Sequence, residues 1–495
     1  MALRVDFNNK NLHQCSRVEL IQQLALKHLH GGFKKATSSS DNPKIPDPNL
    51  FNFTAEPKDA RKECGRLPSI AECAVHLELL QAFRYLRIEI LSSMALSILF
   101  GINPEYRTVF RKRVKWEGWT KSLVREEVKL RDENFEKKRE KVWPLYLKLA
   151  ASRFLSWIAA VEDFDRTNAP NGLFHLPPID VLMVWHALLL NPKWFRSFEQ
   201  RELKYLSTIS FPWEQIHAAI DADSSKWSFK QSEADQAWFR DNCGLHPNFL
   251  EYLTKEQKSE HVSQYLTNYG KSLDSDGGHE LDLESVSELS SSDSDSDPDP
   301  PELKFLDVCR IAAGGDDTIE NLVDAVKRQS AFVDKMDKQL WIRSPAVEGT
   351  LSRAIIRYER FLKLFKLYPR TMLVPTLDID LAWHTHQCSP ARYEAETAEI
   401  AGRFVDHNDK LGTATLDPAF EKTKALYRIR FADDYQTCVC WDCEALRSAI
   451  ADDDHKVPTD SASVAGEAQT TVAYYRAVEI ARQTGEELLP IRDTP

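Results

Sequence analysis

Between Asp378 and Cys443 this sequence gathers residue types that hold metal ions. Asp380 and His384 stand four positions apart, so a helix would carry both on one face. His386 and Cys388 follow at once, and DHND at Asp406–Asp409 adds His407 and Asp409. Histidine, carboxylate and thiolate are the ligands of zinc and iron sites. Asp380, His384, His386, His407 and Asp409 therefore form a candidate metal group. His384 and His386 are two apart and point to nearly opposite sides of a helix, so one of them binds and the other packs. Cys438, Cys440 and Cys443, in CVCWDC, form a second candidate. Three thiolates could take zinc with a fourth ligand from elsewhere. The plainer reading is a half-buried helix start carrying reduced thiols. A redox pair of Cys440 and Cys443 would need a βαβ surround that the sequence lacks.

The first group sits in an element that occurs twice. PPIDVLMVWHALLLNPKWF runs from Pro177 to Phe195, and PTLDIDLAWHTHQCSPARY from Pro375 to Tyr393. The shared pattern is P-x-x-D-x4-W-H-x5-P-x-x-aromatic, with Asp180, Trp185 and His186 matching Asp378, Trp383 and His384. Upstream, Arg153-Phe154 with Trp157 echoes Arg357-Tyr358 with Phe361. The pattern predicts a duplicated helical unit. Asp180 and Asp378 are expected to N-cap their helices. Pro192 and Pro390 are expected to end them. VLMVWHALLL is apolar on nearly every side, so this helix belongs in a core, where His186 must find a partner. What the copies share serves the fold; what only the second has is freer for function. Asp380, His386 and Cys388 stand where the first copy has Leu182, Leu188 and Leu190.

These residues also carry a family resemblance. LVPTLDIDLAWHTHQCSPARY resembles the signature of the glycine-rich domain-containing protein-like family, a domain-of-unknown-function family of plants and fungi. Its members have two D-x4-W-H-x5-P elements and a downstream His-Asp pair before an aromatic-rich helix. Asp406, His407 and Asp409 match that pair, with Asn408 interposed. CVCWDC is similar to the ending of fungal members. The resemblance spans roughly Leu67 to Ser448 and implies the helical fold, but no reaction. Plant relatives have a glycine-rich tail and an RNA-binding motif, and are linked to stress and hormone responses. This chain has neither feature, so RNA binding does not carry over.

The whole chain predicts a mainly α protein with two helical lobes joined by a disordered acidic linker. The segments read as 1–62, an N-terminal helix (SRVELIQQLALKHLH) and loop; 63–268, the first lobe; 269–302, the linker; 303–448, the second lobe; and 449–495, a tail with one peripheral helix. The linker is acidic, serine-rich and almost free of aromatics, so it cannot bury enough surface to order itself. Ser290, Ser292 and Ser294 each precede an aspartate by three residues, which suits acidophilic kinases, although a plain spacer needs no such role. VREEVKLRDENFEKKREKV reads as an exposed, ion-paired helix. The basic, tryptophan-bearing stretch just before it could touch nucleic acid, but acids follow closely and the chain carries a net charge of −11, so nucleic acid is not expected as a partner.

Nine cysteines without a secretory signal predict reduced thiols in a cytoplasmic or nuclear setting. ILSSMALSILFGI is too short to span a bilayer. No phosphate-binding glycine loop, nucleophile elbow or HExxH is present. The expected function is a non-enzymatic scaffold or regulatory protein with protein partners. The alternatives are a metal-dependent enzyme or sensor, with zinc or iron, and a nucleic-acid binder.

Overall fold

A computed structural model describes residues 45–53, 67–117, 120–167, 174–202, 206, 209–255, 258–272, 300–407, 413–453 and 461–485. The N-terminal helix expected before residue 34, most of the acidic segment (273–299) and Asp409 lie outside these residues.

In chain order the helices are α1 (Ile70–Ser92), α2 (Met94–Leu99), α3 (Phe135–Arg139), α4 (Val142–Thr167), α5 (Ile179–Leu189), α6 (Pro192–Glu202), α7 (Trp213–Ala219), α8 (Glu233–Cys243), α9 (Phe249–Thr254) and α10 (Glu260–Ser272). After the acidic segment come α11 (Pro300–Ala313), α12 (Asp317–Gln339), α13 (Val347–Leu367), α14 (Leu377–Gln387), α15 (Pro390–Ile400), α16 (Thr413–Phe431), α17 (Trp441–Asp453) and α18 (Ser461–Thr484). A hairpin of β1 (Tyr106–Glu117) and β2 (Thr120–Arg131) leaves the body between α2 and α3, and Ile220–Asp221 pairs with Ser228–Phe229 in a two-residue ladder. The protein is mainly α, as expected. Among the described residues no helix is long and apolar enough to cross a membrane.

α1 is the axis of the core. Ser69 caps it through a reciprocal capping box with Glu72, and from Ala71 to Phe83 almost every side chain is buried. A helix apolar all round must be covered all round. α1 packs against α4 and α7 of the first half and against α12, α13 and α14 of the second. α11 and α12 also lie on α4, and α12 on α5. Nearly all the buried apolar residues form one cluster from Ile45 to Tyr475, with a small second one at Cys440, Cys443, Leu446 and Ala465, so the acidic segment divides the sequence without dividing the core.

The two copies of the motif share a buried arginine–aspartate pair and a packed tryptophan. In the first, the Arg153 Nε donates to Asp180 Oδ2 at 2.7 Å, and its Nη2 reaches the His246 carbonyl at 3.0 Å. In the second, the Arg357 Nε donates to Asp378 Oδ2 at 2.6 Å, and its Nη2 reaches the Tyr435 carbonyl at 2.6 Å. The tryptophans sit alike, Trp185 on Trp157 with ring centroids 5.3 Å apart and Trp383 on Phe361 at 5.5 Å.

Three expectations are corrected. Asp180 and Asp378 are not N-caps: Pro178 and Thr376 hold those positions, and each aspartate lies in the first turn. A buried arginine from the preceding long helix claims each carboxylate, which no local pattern reports. Burial alone would raise the Asp378 pKa, but the adjacent Arg357 guanidinium outweighs it and holds the carboxyl below its usual range. The segment Val124–Val142 is not one helix: up to Arg131 it is strand β2, and helix begins only at Phe135. Tyr106 pairs with Arg131 and Glu117 with Thr120 along an antiparallel ribbon. Thr108, Val109, Val114, Val124 and Val128 favour strand. Glu126 meets Arg113 across the ladder at 3.6 Å, and Arg125 lies 3.8 Å over the Phe110 ring. Finally, residues 461–484 are more than a peripheral tail: α18 packs along α17, and Glu479 lies 3.5 Å from the buried Arg343.

The arginine–aspartate pairs generate a prediction. Arg153→Met strands a buried carboxylate and should destabilise by about 3–5 kcal/mol. The double variant Arg153→Met/Asp180→Leu should recover most of that loss. Urea unfolding of the parent, both singles and the double measures it; additive losses would show that the two residues are not one buried pair.

Candidate metal centre

The second motif helix, α14, presents its polar residues on two sides. One side carries Asp380 and His384. Here His384 Nε2 lies 3.4 Å from Asp380 Oδ1 and 3.3 Å from His407 Nε2, and His407 Nε2 lies 3.7 Å from Asp380 Oδ1. The three atoms form a near-equilateral triangle. Bonds of about 2.0–2.2 Å around a tetrahedral ion place ligand atoms about 3.3–3.6 Å apart. An octahedral ion at about 2.1 Å needs edges near 3.0 Å. The triangle therefore fits zinc better than iron. Burial pushes the Asp380 pKa up, but His384 and His407 more than offset that and keep the carboxyl low, as a ligand must be.

His407 reaches the triangle from the loop after α15. Trp383 Nε1 donates to the Tyr393 hydroxyl at 2.8 Å, which donates to the Val405 carbonyl at 2.7 Å. The first half holds the loop from outside. Lys193 N donates to Asp406 Oδ1 at 3.2 Å, and Arg196 stacks 4.3 Å over Phe404 and pairs with Glu394. The His407 Nδ1 faces the Leu190 carbonyl at 3.3 Å, at the end of α5. A proton on Nδ1 serves that carbonyl and leaves the Nε2 lone pair for the triangle, the usual second partner of a metal-bound histidine. Phe332 of α12 closes the far side, its ring 4.4 Å from that of His384.

The other side of α14 carries His386, which is not part of the triangle. It is fully buried, with Nδ1 2.9 Å from the Tyr358 hydroxyl and Nε2 3.0 Å from Glu396. Cys388 is buried at the end of the helix. Of the residues special to the second copy, the structure thus brings only Asp380 to His384 and His407.

His186 finds its partner in His76 of α1, a residue the sequence reading passed over. Their Nε2 atoms lie 2.9 Å apart, and His76 Nδ1 lies 2.8 Å from Thr385 Oγ1. Thr385 gives its own hydrogen to the Leu381 carbonyl, so the hydroxyl accepts from His76 Nδ1 and His76 Nε2 accepts from His186. The one available signal was a lone histidine within the apolar run AECAVHLELL. Cys438, Cys440 and Cys443 converge at the start of α17, all three sulfurs within 4.8 Å of one another.

A family model described as glycine-rich domain-containing protein-like matches residues 249–396, from α9 into α15. Through this segment the chain is similar to the glycine-rich domain-containing protein-like family. It is similar to glycine-rich domain-containing protein 1 of Arabidopsis thaliana, 27% identical over 288 residues that cover 56% of this chain and 28% of the relative. Against glycine-rich domain-containing protein 2 of the same plant it is 32% identical over 126 residues, 24% of this chain and 16% of the relative. The chain spans less than a third of either. No solved structure matches it. The family segment contains Asp380 and His384 but ends before His407 and the cysteine turn.

Two predictions come from these histidines. His386→Leu removes the neighbour of a buried carboxylate and should cost about 3 kcal/mol, whereas His386→Leu/Glu396→Leu should recover much of it. Thermal melts test this; an unchanged melting point for the single variant would mean that Glu396 needs no partner. The second concerns pH. Burial holds the His76 pKa well below its usual value and the His186 pKa at about 3, so both are neutral in the fold. Unfolded, each takes a proton near pH 6.5. Stability is therefore complete above that pH and falls below it, by about 4 kcal/mol for the pair between roughly pH 7 and 5. A His76→Leu/His186→Leu variant should lose that slope in urea unfolding at the two pH values. An identical slope would assign the pH dependence elsewhere.

Proposed function

We propose that this protein is a metal-clipped interaction protein, in which a zinc-type ion on Asp380, His384 and His407 fastens the second motif helix to the first half of the chain. The observation that carries the reading is the triangle of ligand atoms, with edges of 3.3, 3.4 and 3.7 Å. His407 is the link: its loop rests on α6 and on the Leu190 carbonyl, so an ion drawing His407 toward α14 also draws the halves together. Binding energy of this kind becomes folding energy for the loop. Three protein ligands leave the fourth position of a tetrahedral ion to water or to a group from a partner. That open position, beside the partly exposed Asp380, supports a sensor or regulatory role and leaves room for a metal-activated water.

The first copy supplies the control. Asp380→Leu installs the residue found at Leu182, and so should fold. The purified parent, loaded with zinc, should hold one ion more per chain than Asp380→Leu or His407→Ala, and chelation should lower the parent's melting point but not theirs. Cobalt substitution should give the weak visible bands of nitrogen and oxygen ligands, which separate this ion from any thiolate-bound one. Equal metal content in parent and variants would overturn the reading.

A further inference from the structure

The turn that opens α17 is held far more firmly than an ordinary helix start. Trp341 Nε1 donates to the Val439 carbonyl at 2.8 Å, and Arg447 Nη1 donates to the Cys438 carbonyl at 2.5 Å. Trp441, the first residue of the helix, donates its Nε1 to the Gln339 carbonyl at 2.7 Å. Arg447 is itself fixed by Glu444, and Glu444 by Arg353. These bonds present the sulfurs of Cys438, Cys440 and Cys443 to one point. Cys440 and Cys443 are buried and Cys438 is half-buried, which leaves a way in.

The walls of this point are apolar. Leu446 and Ala465 pack against Cys440 and Cys443, and Ile450 borders them. Among the described residues no imidazole or carboxylate joins the three sulfurs within the same reach. Arg447 is polar but has no lone pair to give. Zinc in a structural site asks for four ligands. Soft monovalent copper prefers thiolates, and is satisfied by three of them.

We infer that Cys438, Cys440 and Cys443 form a three-coordinate thiolate site for copper(I), independent of the histidine centre. On binding, the three S–H bonds give up their protons to solvent, three Cu–S bonds form, and copper stays in the +1 state. Without an ion the thiols hold those protons. The Cys440 thiol is pushed up to about 11, chiefly by its hydrogen bond with Cys438, and Cys443 is raised as well by its two neighbours. Arg447 and the amino end of α17 face the thiolates and offset part of their negative charge.

The experiment uses the full chain under argon, with copper(I) supplied from its coloured complex with a bicinchoninate chelator. The parent should draw one equivalent from the chelator. Cys440→Ser and Cys443→Ser should lower uptake at least tenfold, while Asp380→Leu takes up copper like the parent. Should the buried variants unfold, as circular dichroism would report, the half-buried Cys438→Ser provides the same test on a folded chain. Unchanged uptake in a folded Cys438→Ser variant overturns the proposal. So does a cobalt-loaded turn with the spectrum of four-coordinate thiolate ligation, or a parent in which two of the three thiols are already joined as a disulfide.

Discussion

Each motif helix is held by one buried charge pair, and much of the molecule is arranged around those two pairs. Arg153 and Arg357 come from long preceding helices, meet Asp180 and Asp378, and extend to backbone carbonyls some sixty residues further along at His246 and Tyr435. One side chain thus ties a long helix, a motif helix and a distant loop. A guanidinium suits this, because its planar fork serves a carboxylate and a carbonyl together. The pairs also set the rotation of α5 and α14 about their axes. With the aspartate turned toward the arginine, the tryptophan five residues on must face the aromatic cluster, and the histidine after it must face the seam between the halves.

At the seam the copies diverge. In the first, His186 meets His76 and, among the described residues, forms no ion pair with a carboxylate, and the two imidazoles close a hydrogen-bonded chain that ends on Thr385 of the other copy. In the second, Asp380 stands beside His384, and His407 arrives on a loop braced by Trp383, Tyr393 and Val405. The bracing depends on one oxygen. Tyr393 relays Trp383 to the loop, and the matching Phe195 has no hydroxyl; Trp185 Nε1 is correspondingly buried without a hydrogen-bond partner among the described residues.

The helices of the core were legible in the sequence because their apolar spacing is a local signal. So were the paired motifs and the four-residue step from Asp380 to His384. The aspartates were misplaced because the arginines that bind them lie 27 and 21 residues upstream, and a carboxylate at a helix start looks like a cap until that partner is seen. His386 looked functional because the first copy has leucine there. Its neighbour Glu396 belongs to the next helix, and only the turn between α14 and α15 brings them together. Most of β2 was read as the start of a helix because mixed acids and bases satisfy helical spacing as readily as cross-strand spacing.

That hairpin has a consequence for how the molecule behaves in a crowd. Its two strands form a sheet of their own, so both outer edges present backbone donors and acceptors over twelve residues. Phe110, Leu123 and Val124 are exposed along it, a combination that ordinarily invites another strand to add on. Between Tyr106 and Arg131 there are nine lysines and arginines against three glutamates. Two copies therefore repel one another at the surface where they would otherwise zip together. Electrostatics guards this edge in place of steric cover, so the protection is strongest in dilute buffer and fades as salt shortens the reach of charge to a few ångströms.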